Sequence, residues 1–124
     1  MSRKSDEGGR YIVSGTIEEE ETGRPLANLI VRAFDKDLVF DDRLGFATTD
    51  ADGRFEIRFT SDAFKEWAGS RLDLYLRVLD AGGTRVLHET TDAVRRRPSH
   101  DERYRIAISG TALDPRRRAQ GRKR

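Results

Sequence analysis

Four carboxylates fall within the eight residues Asp35-Lys36-Asp37-Leu38-Val39-Phe40-Asp41-Asp42, and Asp50 and Asp52 follow in a nearby turn. Acidic side chains spaced by two around a loop can converge on one hard cation, because Ca²⁺ takes about six to eight oxygens and tolerates irregular geometry. Asp35, Asp37 and Asp42 are the ligands such a site would use first. The pattern is not that of an EF-hand loop, which needs a glycine at its sixth position and a glutamate at its twelfth. Lys36 and Arg43 stand inside the cluster and would repel a cation or pair with the acids. The competing reading is a solvated acidic loop whose Asp side chains accept from nearby backbone amides.

A second group is basic: Arg95, Arg96 and Arg97, then Arg116, Arg117, Arg118, Arg122, Lys123 and Arg124 in the final segment. Such clusters neutralise phosphates and give sequence-blind affinity for nucleic acid. They dock equally well onto an acidic protein surface. No aromatic residue interleaves with the final segment, so base stacking is not signalled. Catalytic signals are thin. His88 falls in a strand-like segment and His100 in a basic loop beside Asp101. Neighbouring residues of an extended chain point apart, so that adjacency is not a dyad. No serine has nucleophile-elbow context, and with no cysteine the chain has neither a thiol nucleophile nor a disulfide. A small hydrolase is therefore the weakest of the functional readings.

The elements that must position these groups are strands. With 124 residues, 37% of them charged and 35% hydrophobic, the chain suits one domain with a thin core and a highly charged surface. Tyr11–Glu18, Leu29–Phe34, Leu44–Thr49, Phe55–Phe59, Arg71–Asp80, Arg85–Thr90 and Arg103–Ser109 read as strands, each carrying apolar residues at alternate positions. Gly15, inside the first, predicts a bulge or a close approach by a neighbour. Asp50 to Gly53 reads as a hairpin turn. Thr60 to Gly69 breaks the alternation, and Phe64 and Trp67 predict a short helical plug. Ile30, Phe34, Phe40, Phe46 and Tyr75 fall out of phase with their strands or lie in a loop. They would make either an exposed apolar patch, favouring self-association, or a set of side chains buried under loops.

The ordered series Thr22-Gly23-Arg24-Pro25-Leu26, Val31-Arg32-Ala33, Asp41-Asp42, Leu44-Gly45, Thr49-Asp50-Ala51-Asp52-Gly53-Arg54-Phe55 and Asp73-Leu74-Tyr75-Leu76-Arg77-Val78 resembles the transthyretin-like, or prealbumin-like, sandwich. That broad group includes the carboxypeptidase regulatory-like domains, and the resemblance covers about Tyr11 to Ser109. The acidic loop resembles those of calcium-dependent C2 sandwiches. The final Tyr-Arg-Gly-Ser motif of the hydroxyisourate hydrolase branch is missing, as are the signal peptide and cysteines of the nematode secreted branch. What the resemblance implies is an accessory or binding domain.

Together these readings predict an all-β, antiparallel Greek-key sandwich of about seven strands with one short helical turn, spanning residues 11–110. Disordered segments are expected at 1–10 and 111–124. The expected role is non-enzymatic: a cytoplasmic assembly module with no cofactor, recognising a protein partner through loops and the basic segment. A Ca²⁺-dependent binder is the alternative.

Overall fold

A computed structural model describes residues 9–37, 40–64 and 72–114. Eight strands run in chain order: β1 (Arg10–Glu19), β2 (Ile30–Asp35), β3 (Asp42–Thr48), β4 (Arg54–Thr60), β5 (Asp73–Leu79), β6 (Val86–Glu89), β7 (Arg95–Arg96) and β8 (Asp101–Ile108). Single 3₁₀ turns at Ser61–Ala63 and Thr91–Ala93 interrupt them, and a four-residue helix, α1 (Gly110–Leu113), follows β8. The strands form two sheets, one ordered β4-β1-β8 and the other β3-β2-β5-β6, with β7 also pairing with β5. No helix among the described residues is long and apolar enough to cross a membrane.

The all-β sandwich expected from the alternation is present. Phe55, Ile57 and Phe59 of β4 are buried while Arg54, Glu56 and Arg58 between them are exposed. Val13 and Ile17 of β1 and Tyr104, Ile106 and Ile108 of β8 complete that wall of the core. Val31, Ala33, Leu74, Leu76 and Val78 face them from the other sheet. One pairing departs from the antiparallel pattern: β8 runs parallel to β1, Gly15 opposite Tyr104. Gly15 is a close-approach glycine, since a Cβ there would sit 2.2 Å from the Tyr104 carbonyl oxygen.

Asp50 to Gly53 is a turn, as expected, but not a hairpin. It carries the chain from β3 in one sheet to β4 in the other. Asp50 Oδ1 accepts from the backbone N–H groups of Asp52 and Arg54, both at 2.9 Å, and Gly53 takes φ 72°. The crossing is fastened by Thr49, buried although polar. Its hydroxyl donates to the Leu26 carbonyl at 2.7 Å and accepts from the Leu29 N–H at 3.0 Å. The basic loop expected around His100 is preceded by β7 and runs into the start of β8. The plug is a single 3₁₀ turn with Phe64 buried behind it. Trp67 lies outside the described residues.

Candidate functional site

Loop 36–41 and the strand ends beside it hold the carboxylates singled out above. Asp35 closes β2 opposite Asp42 of β3, and its Oδ1 accepts from the backbone N–H of Asp73 at 2.9 Å. Burial pushes the Asp35 carboxyl up to about 6, helped by the nearby charges of Asp42, Asp73 and Asp37 and opposed by that backbone hydrogen bond. Asp41, not among the three ligands expected first, is the anchor of the loop. One of its oxygens accepts from the Asp37 N–H at 2.9 Å and the other from the Tyr75 hydroxyl at 2.5 Å. These bonds hold the Asp41 carboxyl below the ordinary range, whereas burial, then Asp41, pushes the Tyr75 phenol up to about 12. Asp35, Asp37 and Asp42 do not come together as a ligand set. Among the described residues no three His, Cys, Asp or Glu side chains gather where they could hold a metal ion. In Asp35 and Asp41, carboxylate oxygens that a cation would need accept from the protein instead.

Two of the three guanidiniums in the first basic group are likewise engaged within the chain. Arg95 pairs with Glu102 at 2.6 Å, donates to the Arg103 carbonyl and lies 3.7 Å over the Tyr104 ring. Arg96 pairs with Asp73 at 3.1 Å. Arg97 sits at φ 51° with its N–H on the Leu72 carbonyl. Arg116, Arg117, Arg118, Arg122, Lys123 and Arg124 lie outside the described residues. His88 belongs to β6 of the five-stranded sheet, and His100 is stacked on Tyr11 beside the three-stranded one, its Nδ1 2.6 Å from the Arg10 carbonyl. They form no pair.

The out-of-phase apolar residues divide. Phe34 and Tyr75 are cross-strand partners on the outer face of the five-stranded sheet, stacked at 5.1 Å and both buried. The Arg77 guanidinium lies over the Phe34 ring and is itself paired with Glu89. Phe46 is different: 68% exposed on the same face.

How Phe46 comes to that face is a matter of register. Phe34 opposes Arg43, Ala33 opposes Gly45 and Arg32 opposes Phe46, so Leu44 is an extra residue and β3 bulges there. Positions 43 and 46 would lie on opposite faces of a regular strand. Because directly opposed residues share a face, the bulge turns both outward, onto the face that Arg32 and Phe34 already occupy. Leu44, the residue inserted, is buried. Between the two outward rows, Ala33 and Gly45 point inward and leave their main chain as the floor of a cleft of about 160 Å³, lined by Arg32, Ala33, Arg43, Gly45 and Phe46. Neither Arg32 nor Arg43 has a carboxylate within ion-pair distance among the described residues. A wider trough of about 690 Å³ crosses the outer face of the three-stranded sheet. There Arg103 is matched by Asp101 and Glu56 by Arg58, so its charges are largely answered from within. At the small cleft, two guanidiniums without an ion-pair partner among the described residues stand beside an exposed ring. Alternation alone could not have found it, since the sequence gives no sign of where a bulge resets the phase.

No family model matches the chain, and no curated protein does. Solved structures share its fold. A 9R-lipoxygenase from Cyanothece PCC8801 matches at TM-score 0.53 and 22% identity, over 79% of this chain but only 16% of the lipoxygenase. The dioxygenase domain of a dioxygenase–carbohydrate-binding fusion from Streptomyces sp. SirexAA-E matches at 0.51 and 17%, over 82% of this chain and 80% of that one. An (S)-allantoin synthase matches at 0.50 and 9%, over 84% and 44%. At these identities the likeness is one of fold. It corrects the expectation of a non-enzymatic assembly module that recognises a protein partner: this sandwich is one that enzymes, dioxygenases among them, carry.

Proposed function

We propose that the chain serves an oxygenase-type enzyme as the sandwich that holds a small anionic compound, bound between Arg32 and Arg43 on the outer face of the five-stranded sheet. The single observation that carries this is the bulge at Leu44, which brings a second guanidinium and an exposed ring to a cleft that already has one guanidinium. Guanidinium forks match carboxylate and phosphate oxygens, and charge-assisted hydrogen bonds of this kind are roughly twice as strong as neutral ones. The sandwich shared with a lipoxygenase and a dioxygenase domain supports the enzymatic setting. The facial triad of a non-haem Fe(II) oxygenase is two His and one carboxylate at one point. The described residues do not fit such a group. The part of this sandwich is capture and orientation of the anion.

Amide chemical shifts of the ¹⁵N-labelled full chain, titrated with inorganic phosphate and with benzoate, test this. Saturable shifts at Ala33, Gly45 and Phe46 with at least one anion are expected, weakened about tenfold or more by Arg32→Gln or Arg43→Gln. Shifts spread over all basic surfaces, or unchanged by either substitution, would end the proposal.

A further inference from the structure

We infer that the compound is a single-ring aromatic carboxylate, an inference that rests on the anion site proposed above. Size is the first argument. The cleft measures about 160 Å³, and a cavity of roughly 150 Å³ accommodates one benzene ring. A nucleotide or an oligosaccharide would leave most of itself outside. Charge is the second. Arg32 and Arg43 stand on opposed strands, flanking the cleft, with no counter-ion among the described residues. A carboxylate offers two oxygens in one plane to the forked donors of a guanidinium.

The ring of Phe46 is the third argument and the one that separates a ring-bearing acid from a bare anion. Phosphate or acetate would satisfy the guanidiniums and leave Phe46 68% exposed. A planar ligand covers that ring by offset stacking, while its edge rests on the main chain of Ala33 and Gly45. Guanidinium planes also stack on aromatic faces, so the two arginines can hold the ring as well as the acid. The opposed outward pair one row away shows the same preference inside the protein: Phe34 and Tyr75 stack, with the Arg77 guanidinium 4.6 Å from the Phe34 centroid.

The test uses three probes on the full chain: benzoate, inorganic phosphate and benzyl alcohol, each followed by the amide shifts of Ala33, Gly45 and Phe46. Benzoate is expected to bind more tightly than either of the others. Phe46→Ala, at an exposed position, is expected to weaken benzoate about tenfold and phosphate by less than about twofold. The double variant Arg32→Gln, Arg43→Gln should abolish both. If phosphate binds as well as benzoate, or Phe46→Ala leaves benzoate untouched, the aromatic assignment is overturned while the anion site stands. If neither anion moves these amides, both readings fall. An unperturbed spectrum away from β2 and β3 shows that each variant is folded.

Discussion

Tyr75 and Tyr104 are both buried tyrosines, and their hydroxyls meet opposite fates. Tyr75 donates to Asp41 and so ties loop 36–41 to β5. The Tyr104 hydroxyl is buried without a hydrogen-bond partner among the described residues. A buried polar group left unpaired costs about 1–3 kcal/mol, while a made hydrogen bond contributes about 1 kcal/mol net. Tyr75→Phe should therefore destabilise the fold by about 1–2 kcal/mol, whereas Tyr104→Phe should leave it unchanged or raise it by about 1 kcal/mol. Urea melts of the two variants check both signs. Asp35 gives a pH dependence. Its carboxyl is raised from 3.8 to about 6 by burial, so between those values the folded chain keeps a proton that the unfolded chain has lost. The stability it contributes is present below about pH 4 and is lost as pH rises through about 6. Asp41 and Glu102 act in the other direction. Asp41 is held low by hydrogen bonds. Burial pushes Glu102 up, but bonds from Ser99 and Arg95 outweigh it. Their contribution is lost only as pH falls through their own depressed values. Melting temperature should accordingly decline once pH has risen past the ordinary values of Asp41 and Glu102, 3.8 and 4.5, and is climbing through the raised value of Asp35 at about 6. Asp35→Asn should remove most of that decline, worth on the order of 1–2 kcal/mol once the solvent that Asp35 still sees is discounted.

Among the elements, β1 and β3 each turn on a departure from the ideal strand. Gly15 lets β1 lie against β8. Any side chain there meets the Tyr104 backbone, which cannot swing aside as a long side chain could. Gly15→Ala should cost more than about 3 kcal/mol and abolish cooperative melting near ambient temperature. Deleting Leu44 would restore a regular β3. Arg43 and Phe46 would then stand two positions apart and still share a face, so the cleft should persist if the sandwich forms without the buried Leu44 side chain. Much of this architecture was legible in the sequence. Phe55, Ile57 and Phe59 alternate cleanly because β4 is buried on one face alone, and the Asp50–Gly53 turn is local chemistry. β5 was legible from Leu72, Leu74, Leu76 and Val78 at alternate positions, but the burial of Tyr75 and Leu79 as well was not, since it depends on what covers the outer face. The bulge and the destination of the Asp50 turn were not legible at all. Both depend on which strand lies opposite, and no residue within β3 records its neighbour. The carboxylate run was visible, but which oxygens would be taken up by Tyr75 and by the Asp73 amide is a tertiary fact.

At the scale of the whole molecule, stability rests on a core closed by residues from both sheets. Ile57 and Leu76 are among its fully buried members, and truncating either to alanine should cost about 2–5 kcal/mol. The parallel contact between β1 and β8 sets the order in which that core can be completed. During synthesis β1 emerges first and can pair on one side with β4, but its other edge must wait for residues 101–108. Until then a strand ten residues long presents unpaired backbone groups to any chain nearby. Sequence-distant closure of this kind is also slow. A nascent chain that has emerged only as far as Ser99 is thus an open template with one of the three strands of that wall missing.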